Sequence, residues 1–264
     1  MTAPAPLATA ESLSAIAATP RLLVALDFDG TLAPFEDEPM DARMVREARA
    51  ALDALLALPD TYVALVSGRS LHDLRLIAEH PDDSHLWLAG SHGAEFWIPG
   101  EGAVEPDDAD DDIALRDRLR TEAEEATSDL SGIWIEPKTF GFGVHTRRAD
   151  AADAEAANTR VDRIVEAEAP HWRRRTGHNI VEFAFRQEGK DAGVAALRER
   201  VGATAVLFAG DDVTDEDALR KLGPDDLGVR VGGGATSARV SVPDIAGMAD
   251  LLALLAQLRG AARE

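Results

Sequence analysis

The sequence predicts an α/β fold: a doubly wound parallel sheet interrupted by an inserted α+β unit. Three features point there. Short apolar runs of strand length alternate with segments of helical spacing between residues 22 and 90, the pattern of right-handed parallel crossovers. Near residue 100 the character changes to hairpin-like strands between helices. From residue 192 the alternation resumes. One core domain, residues 20–102 and 187–264, is therefore expected around an insertion at 103–186, with residues 1–19 as a flexible N-terminal arm that holds at most a short helix over Glu11–Ala18.

In chain order, the buried run Leu22–Leu26 predicts the first strand. Val45, Ala48, Leu52, Leu55 and Leu56 carry helical spacing within Ala42–Leu58, which ends before Pro59. Tyr62–Val66 predicts a second strand, Leu71–Glu79 a helix, and Leu86–Ala89 and Ala94–Ile98 two further strands around the turn Gly90–Gly93. Gly100–Asp112, rich in Gly, Pro and Asp, reads as a linker. The insertion then predicts helix Ala114–Ser128, strands Gly132–Pro137 and Gly141–Thr146, helix Ala151–Ala167 and strand Asn179–Phe185. The core resumes with helix Ala192–Val201, strand Ala205–Ala209, helix Glu216–Leu222, strand Leu227–Val231 and a last helix Ile245–Arg259.

Composition narrows the function. A hydrophobic content of 45% in 264 residues is ample for a core. The net charge of −21 argues against nucleic acid or an anionic membrane as partner, since both need basic surface. Cysteine is absent, which removes disulfides, thiolate zinc sites and a Cys nucleophile. Met1–Pro20 lacks the pattern of a signal peptide and no apolar run is long enough to span a bilayer, so a soluble cytoplasmic protein is expected, and a monomer is the expected state. Lysine occurs only at Lys138, Lys190 and Lys221, against Arg at every other cationic position. A Lys retained in such a chain is a candidate for work that needs a compact point charge.

The chemistry is carried by residues at strand ends, where ligands bind in such sheets. The first strand ends in Asp27-Phe28-Asp29-Gly30-Thr31. Residues i and i+2 of a strand share a face, so Asp27 and Asp29 are expected side by side, and like charges that close call for a cation between or beside them. Gly210-Asp211-Asp212-Val213-Thr214-Asp215-Glu216-Asp217 follows the strand Ala205–Ala209. Thr214 as a helix cap and acids in the first turn account for part of it. They do not account for Asp211 and Asp212 at the strand end, and an all-oxygen ligand set suits Mg²⁺. Ser67-Gly68-Arg69 ends the second strand, where a hydroxyl and backbone N–H groups can hold a phosphoryl oxygen. The dense basic run His171, Arg173, Arg174, Arg175 reads as a solvated face, and His72, His80 and His85 as surface residues.

Together these segments resemble the haloacid-dehalogenase (HAD-like) superfamily of phosphohydrolases: DFDGT at Asp27–Thr31, the strand-end Ser67, the lone Lys190, and GDD…D from Gly210 to Asp215. The resemblance implies a Rossmannoid core with an inserted α+β cap of the C2 type. A narrower resemblance, over residues 20 to 255, is to the trehalose-6-phosphate phosphatases. It rests on Gly90-Ser91-His92-Gly93-Ala94-Glu95, on Ile135-Glu136-Pro137-Lys138 followed by His145 and Arg147, on Glu182, and on the extended motif through Asp217. The chain departs from that family at Phe183–Gln187, where E-x-R-P is usual, and at Asp191.

The resemblance implies Asp27 as the nucleophile forming an aspartyl-phosphate, and Asp29 as the general acid and base. It implies phosphate contacts from Thr31, Ser67, Gly68, Arg69 and Lys190. Mg²⁺ would be held by Asp27, Asp29 through its carbonyl, Asp211 and Asp215. Sugar contacts would come from His92, Glu136, Lys138, His145, Arg147 and Glu182, with cap closure excluding water. The expected partner is a small-molecule sugar phosphate. Hydrolysis of sucrose 6-phosphate or mannosyl-phosphoglycerate, or a phosphosugar mutase, is the alternative that the same residues leave open.

Overall fold

The structure, a computed structural model, describes residues 4–104, 106–177 and 179–263. The chain divides into two compact units, one of residues up to 104 and from 188 onward, the other of residues 106–187. In chain order the elements are α1 (Ala10–Ala17), β1 (Leu22–Leu26), α2 (Arg46–Leu56), β2 (Thr61–Val66), α3 (Leu71–Ile77), β3 (Trp87–Gly90), β4 (Glu95–Ile98) and β5 (Gly102–Val104). The second unit holds α4 (Asp110–Thr127), β6 (Trp134–Lys138), β7 (Gly141–His145), α5 (Ala151–Glu168), β8 (Arg173–Gly177) and β9 (Ile180–Ala184). The first unit is completed by α6 (Lys190–Val201), β10 (Ala205–Gly210), α7 (Glu216–Lys221), β11 (Leu227–Val231), β12 (Val240–Val242) and α8 (Ile245–Ala261).

The larger unit is built on an eight-stranded sheet of order β12-β11-β10-β1-β2-β3-β4-β5. The strands from β12 to β3 pair in parallel, and β4 and β5 add an antiparallel edge. All five residues of β1 are buried because helices cover both sheet faces. Leu22, Val24 and Leu26 pack in a core shared with α1, α2, α3 and α8, while Leu23 and Ala25 pack with residues of α6 and α7 on the opposite side. Local chemistry sets the helix ends: Ser70 and Asp244 accept backbone N–H groups at the starts of α3 and α8, and Gly202 closes α6 in the left-handed conformation.

The smaller unit is a four-stranded antiparallel sheet of order β6-β7-β9-β8. Phe142, Val144, Val181 and Phe183 line one face and pack against Leu119 and Ala123 of α4 and Ala157, Val161 and Val165 of α5. Strand alternation leaves the other face to Trp134, Glu136, Lys138, His145 and Glu182.

Four expectations are corrected. The N-terminal segment is not a loose arm. Leu13, Ile16 and Ala17, spaced i, i+3, i+4, bury one face of α1, and backbone hydrogen bonds join Pro6 and Ala8 to Ser241. The expected linker is shorter, because Gly102–Val104 forms edge strand β5 and Asp110–Asp112 sit in the first turn of α4, where the dipole favours acids. The arginine run is strand β8, with Arg175 buried and Arg174 paired to Asp162 at 2.6 Å. His80 is buried, bonded to the carbonyl of Leu86 and edge-on to Trp97.

Candidate active site

β1 lies between β10 and β2: the chain builds the sheet from β1 through β2 to β3 on one side and returns through α6 to β10 and β11 on the other, so the carboxyl end of β1 stands at the topological switch point. Asp27 continues the pairing one residue past the strand, its N–H donating to the carbonyl of Ala209 at 2.9 Å. Its carboxylate is buried and lies 2.6 Å from Nζ of Lys190, the first residue of α6. The same ammonium lies 2.7 Å from Asp215, which is wholly buried. Asp215 also accepts the N–H of Asp212 at 2.9 Å, which holds the turn after β10 closed. Asp27, Asp211 and Asp215 each present a carboxylate oxygen within 4.8 Å of the others. Thr31, buried, donates to Asp211 at 3.4 Å.

Three carboxylates facing one ammonium leave an excess of negative charge. Burial first, then the charges of Asp215 and Asp211, push the carboxyl of Asp27 well above its usual range, while Lys190 works against them. Burial and then Asp215 likewise raise Asp211 to about 6. Lys190 keeps its proton well beyond the usual lysine range: burial opposes this, but Asp215 and Asp27 outweigh it. All three acids offer only hard oxygen donors and their mutual repulsion would be relieved by added positive charge, so the group fits a divalent cation such as Mg²⁺.

Asp29 stands apart from that group. Its carboxylate receives two parallel hydrogen bonds from Arg69, Nε to Oδ2 at 2.6 Å and Nη2 to Oδ1 at 2.7 Å. The expected sharing of one cation by the side chains of Asp27 and Asp29 is therefore corrected. Past Leu26 the backbone turns at Gly30, and the two carboxylates meet different protein cations, Lys190 (shared with Asp215) for Asp27 and Arg69 for Asp29.

The Ser67–Arg69 turn is held from the neighbouring strand. The N–H of His92 donates to the carbonyl of Ser67 at 2.8 Å, and that of Ser91 to the carbonyl of Arg69 at 2.6 Å. Ser91 and His92 adopt φ of 47° and 59°, a strained pair for residues with a Cβ. Buried Glu95 accepts the Ser91 hydroxyl and the N–H of Leu71. His92, expected at the substrate, is buried with its imidazole against Gly68. Its place is under the turn.

On the polar face of the smaller unit, Lys138 lies 3.0 Å from Glu136 and 3.1 Å from Glu182. His145 donates to Glu136 at 2.7 Å and stacks on Trp134 with centroids 4.2 Å apart. A Cβ on Gly143, opposite Glu136 in the register, would come within 2.9 Å of Ile180 and 3.4 Å of the Lys138 stem, so glycine leaves room for that stem. Burial alone would raise Glu136, yet the hydrogen bond from His145 and the charge of Lys138 bring it down to about 2. Arg147 lies in the exposed turn after β7.

The trehalose-phosphatase family profile matches residues 25–244. The chain belongs to the trehalose-phosphatase family. A trehalose-phosphate phosphatase of Mycobacterium ulcerans is 30% identical over 253 residues, covering 90% of this chain and 62% of that protein. The chain thus spans less than two thirds of the length of the relatives it matches first. In fold it is similar to the C-terminal domain of the C. albicans trehalose-6-phosphate phosphatase (TM-score 0.82, 21% identity, 96% of this chain and 98% of that one). It is also similar to a haloacid-dehalogenase-like hydrolase from B. subtilis (TM-score 0.57, 15% identity, 87% and 98% covered).

Within this member of the trehalose-phosphatase family, sequence reasoning missed a second tier of residues. Glu216, read only as a helix-dipole acid, accepts from Thr236 at 2.7 Å and from the N–H of Ser237 at 2.8 Å. Arg230 on β11 donates to the carbonyl of Asp212 at 2.9 Å. Both brace the loops beside Asp211. Glu95 had a signal, its place in the Gly90–Glu95 segment, whereas Arg230 had none.

Proposed function

We propose that this chain is a Mg²⁺-dependent phosphatase that hydrolyses trehalose 6-phosphate to trehalose and inorganic phosphate. The observation that carries the reading is the buried Asp27 carboxylate held against Lys190 at 2.6 Å, with Asp211 and Asp215 beside it. Membership of the trehalose-phosphatase family supports the substrate.

In this reading a carboxylate oxygen of Asp27 attacks phosphorus, the bond from phosphorus to the sugar oxygen breaks, and an aspartyl-phosphate forms. One difficult displacement becomes two easier ones. Asp29, which enters the step as the neutral acid, gives its proton to the departing sugar oxygen and then takes one from the water that cleaves the acyl-phosphate, which returns Asp29 to the acid and Asp27 to the carboxylate. Lys190 and Ser67 supply donors for the equatorial phosphoryl oxygens, where positioned charge contributes most. Asp27, Asp211 and Asp215 would hold Mg²⁺, which when bound supplies positive charge to offset that of the phosphoryl group. The polar face of the smaller unit, with Glu136, Lys138, His145 and Glu182, is assigned the recognition of sugar hydroxyls, a task suited to placed charged groups.

A panel of disaccharide and monosaccharide phosphates, assayed for released phosphate with and without Mg²⁺, tests the reading. Mg²⁺-dependent release, fastest from trehalose 6-phosphate and lost in Asp27→Asn, is the expected result. A faster rate on sucrose 6-phosphate would move the substrate, and isomerised sugar phosphate without release would make the chain a mutase.

A further inference from the structure

We propose that Arg69 is a positioning residue for Asp29: its guanidinium fixes the orientation of that carboxylate and does not serve as a phosphoryl ligand. The inference rests on the phosphatase reading above, in which Asp29 transfers the proton.

Arg69 presents Nε and Nη2 to the two oxygens of Asp29 at 2.6 and 2.7 Å, the fork-to-fork geometry in which both torsions of the short acid are fixed. Those two nitrogens form the edge of the guanidinium that would otherwise grip a phosphoryl group in the same bidentate manner. The pair is largely shielded, with side-chain exposures of 16% for Arg69 and 22% for Asp29. The remaining nitrogen, Nη1, lies 4.0 Å from Sδ of Met40.

The backbone of Arg69 is itself immobilised. Its N–H donates to Oγ of Ser67 at 3.2 Å, and its carbonyl accepts from Ser91 at 2.6 Å. The strained Ser91–His92 turn is tied in place by buried Glu95. A chain of fixed groups therefore runs from Glu95 through Ser91 and Arg69 to the carboxylate of Asp29. Such rigidity matters for proton transfer, which needs heavy atoms within hydrogen-bond reach at the moment the leaving oxygen takes charge.

A misplaced general acid hurts most where the leaving group is most basic. A phosphoryl ligand would matter alike for every ester. The test uses the full chain with Mg²⁺, as wild type, Arg69→Gln and Arg69→Lys, on aryl phosphates of increasing leaving-group pKa and on the sugar phosphate. For Arg69→Gln the expected fall in the single-turnover rate of leaving-group release, which isolates the acid step from the later hydrolysis common to all esters, is about threefold with 4-nitrophenyl phosphate and about a hundredfold with the sugar phosphate, and KM moves less than about twofold. Arg69→Lys, which keeps charge but not the fork, should recover less than about a tenth of the lost sugar-phosphate rate. In an Asp29→Asn background Arg69→Gln should cost less than about twofold more, since the group it serves is gone.

Equal losses across the series, a general rise in KM, full recovery by Lys, or additive loss in the Asp29→Asn background would each overturn the proposal. A wild type that releases phosphate from no ester overturns the phosphatase reading and this inference with it. A wild type active on aryl phosphates alone removes only the sugar substrate, because the aryl series still decides the role of Arg69.

Discussion

Gly30 and Asp211 stand so close that a Cβ built on Gly30 would lie 2.2 Å from Oδ2 of Asp211. The contact joins the end of β1 to the end of β10, and it exists because Gly30 turns the chain at φ 77°. Gly30→Ala should therefore fail twice, by backbone strain and by displacing a carboxylate of the acid group. We expect a loss of about 2 kcal/mol in urea unfolding and of most phosphate release. Gly100→Ala is the control, since Gly100 has φ 83° with no atom within 4 Å of the built Cβ. It should show the strain, about 1 kcal/mol, with activity kept. Similar activity in the two variants would refute the role of the close approach.

Asp27→Asn separates stability from catalysis. Burial and the neighbouring acids raise the carboxyl of Asp27 well above its ordinary value. For an acid shifted upward, the folded state is favoured while the group is protonated and loses that advantage as pH rises through the unfolded and then the folded value. Near neutral pH an amide that cannot ionise should be tolerated at least as well, and Asp215 still pairs with Lys190. In chelator the variant should melt no lower than wild type, and in assays with Mg²⁺ its turnover should drop at least about a thousandfold. A markedly lower melting temperature would mean that the Asp27–Lys190 pair is a structural brace.

The acid group should bind a divalent cation without any substrate. At a hundredfold excess over Kd, Mg²⁺ binding to the folded state alone contributes about 2.7 kcal/mol, which corresponds to a melting rise of roughly 5–10 °C in a chain of this size. Asp211→Asn removes one of the three carboxylates and should abolish most of that shift. The readout is a thermal melt with and without the ion. An unchanged shift in Asp211→Asn would place the cation elsewhere.

The difference between what sequence reading found and what it missed has a physical basis. β1 and β10 are covered on both faces, so they appear as unbroken apolar runs whose ends are visible, and Asp27 and Asp211 stand at those ends. Lys190 drew notice because lysine is scarce in this chain. The Arg69–Asp29 pair spans 40 residues, and no local pattern predicts a contact made by the adjacency of β1 and β2. Arg259 is similar. It reads as a last-turn cation of α8, yet it is fully buried and donates to the carbonyls of Ala17, Thr19 and Asp60 and to the hydroxyl of Thr61. Strand β8 was illegible because three consecutive arginines lack apolar alternation, and β12 because three residues carry almost no periodicity.

Glu136 falls from its ordinary 4.5 to about 2, because His145 and Lys138 outweigh the effect of burial. A carboxyl lowered on folding stabilises the protein above its unfolded value, and that contribution disappears as pH drops from 4.5 toward 2. With the side chain 35% exposed, solvent screening reduces the contribution to about 1 kcal/mol. Glu136→Gln should therefore be less stable than wild type by about that amount at pH 5.5 in urea unfolding, and the gap should close as pH falls toward 2.5. The sign follows from the charge pair alone: once Glu136 is protonated, wild type and variant present the same neutral group to Lys138 and His145. A gap that stays constant across that range would mean that Glu136 contributes through packing, and its ionic link to Lys138 would have no energetic weight.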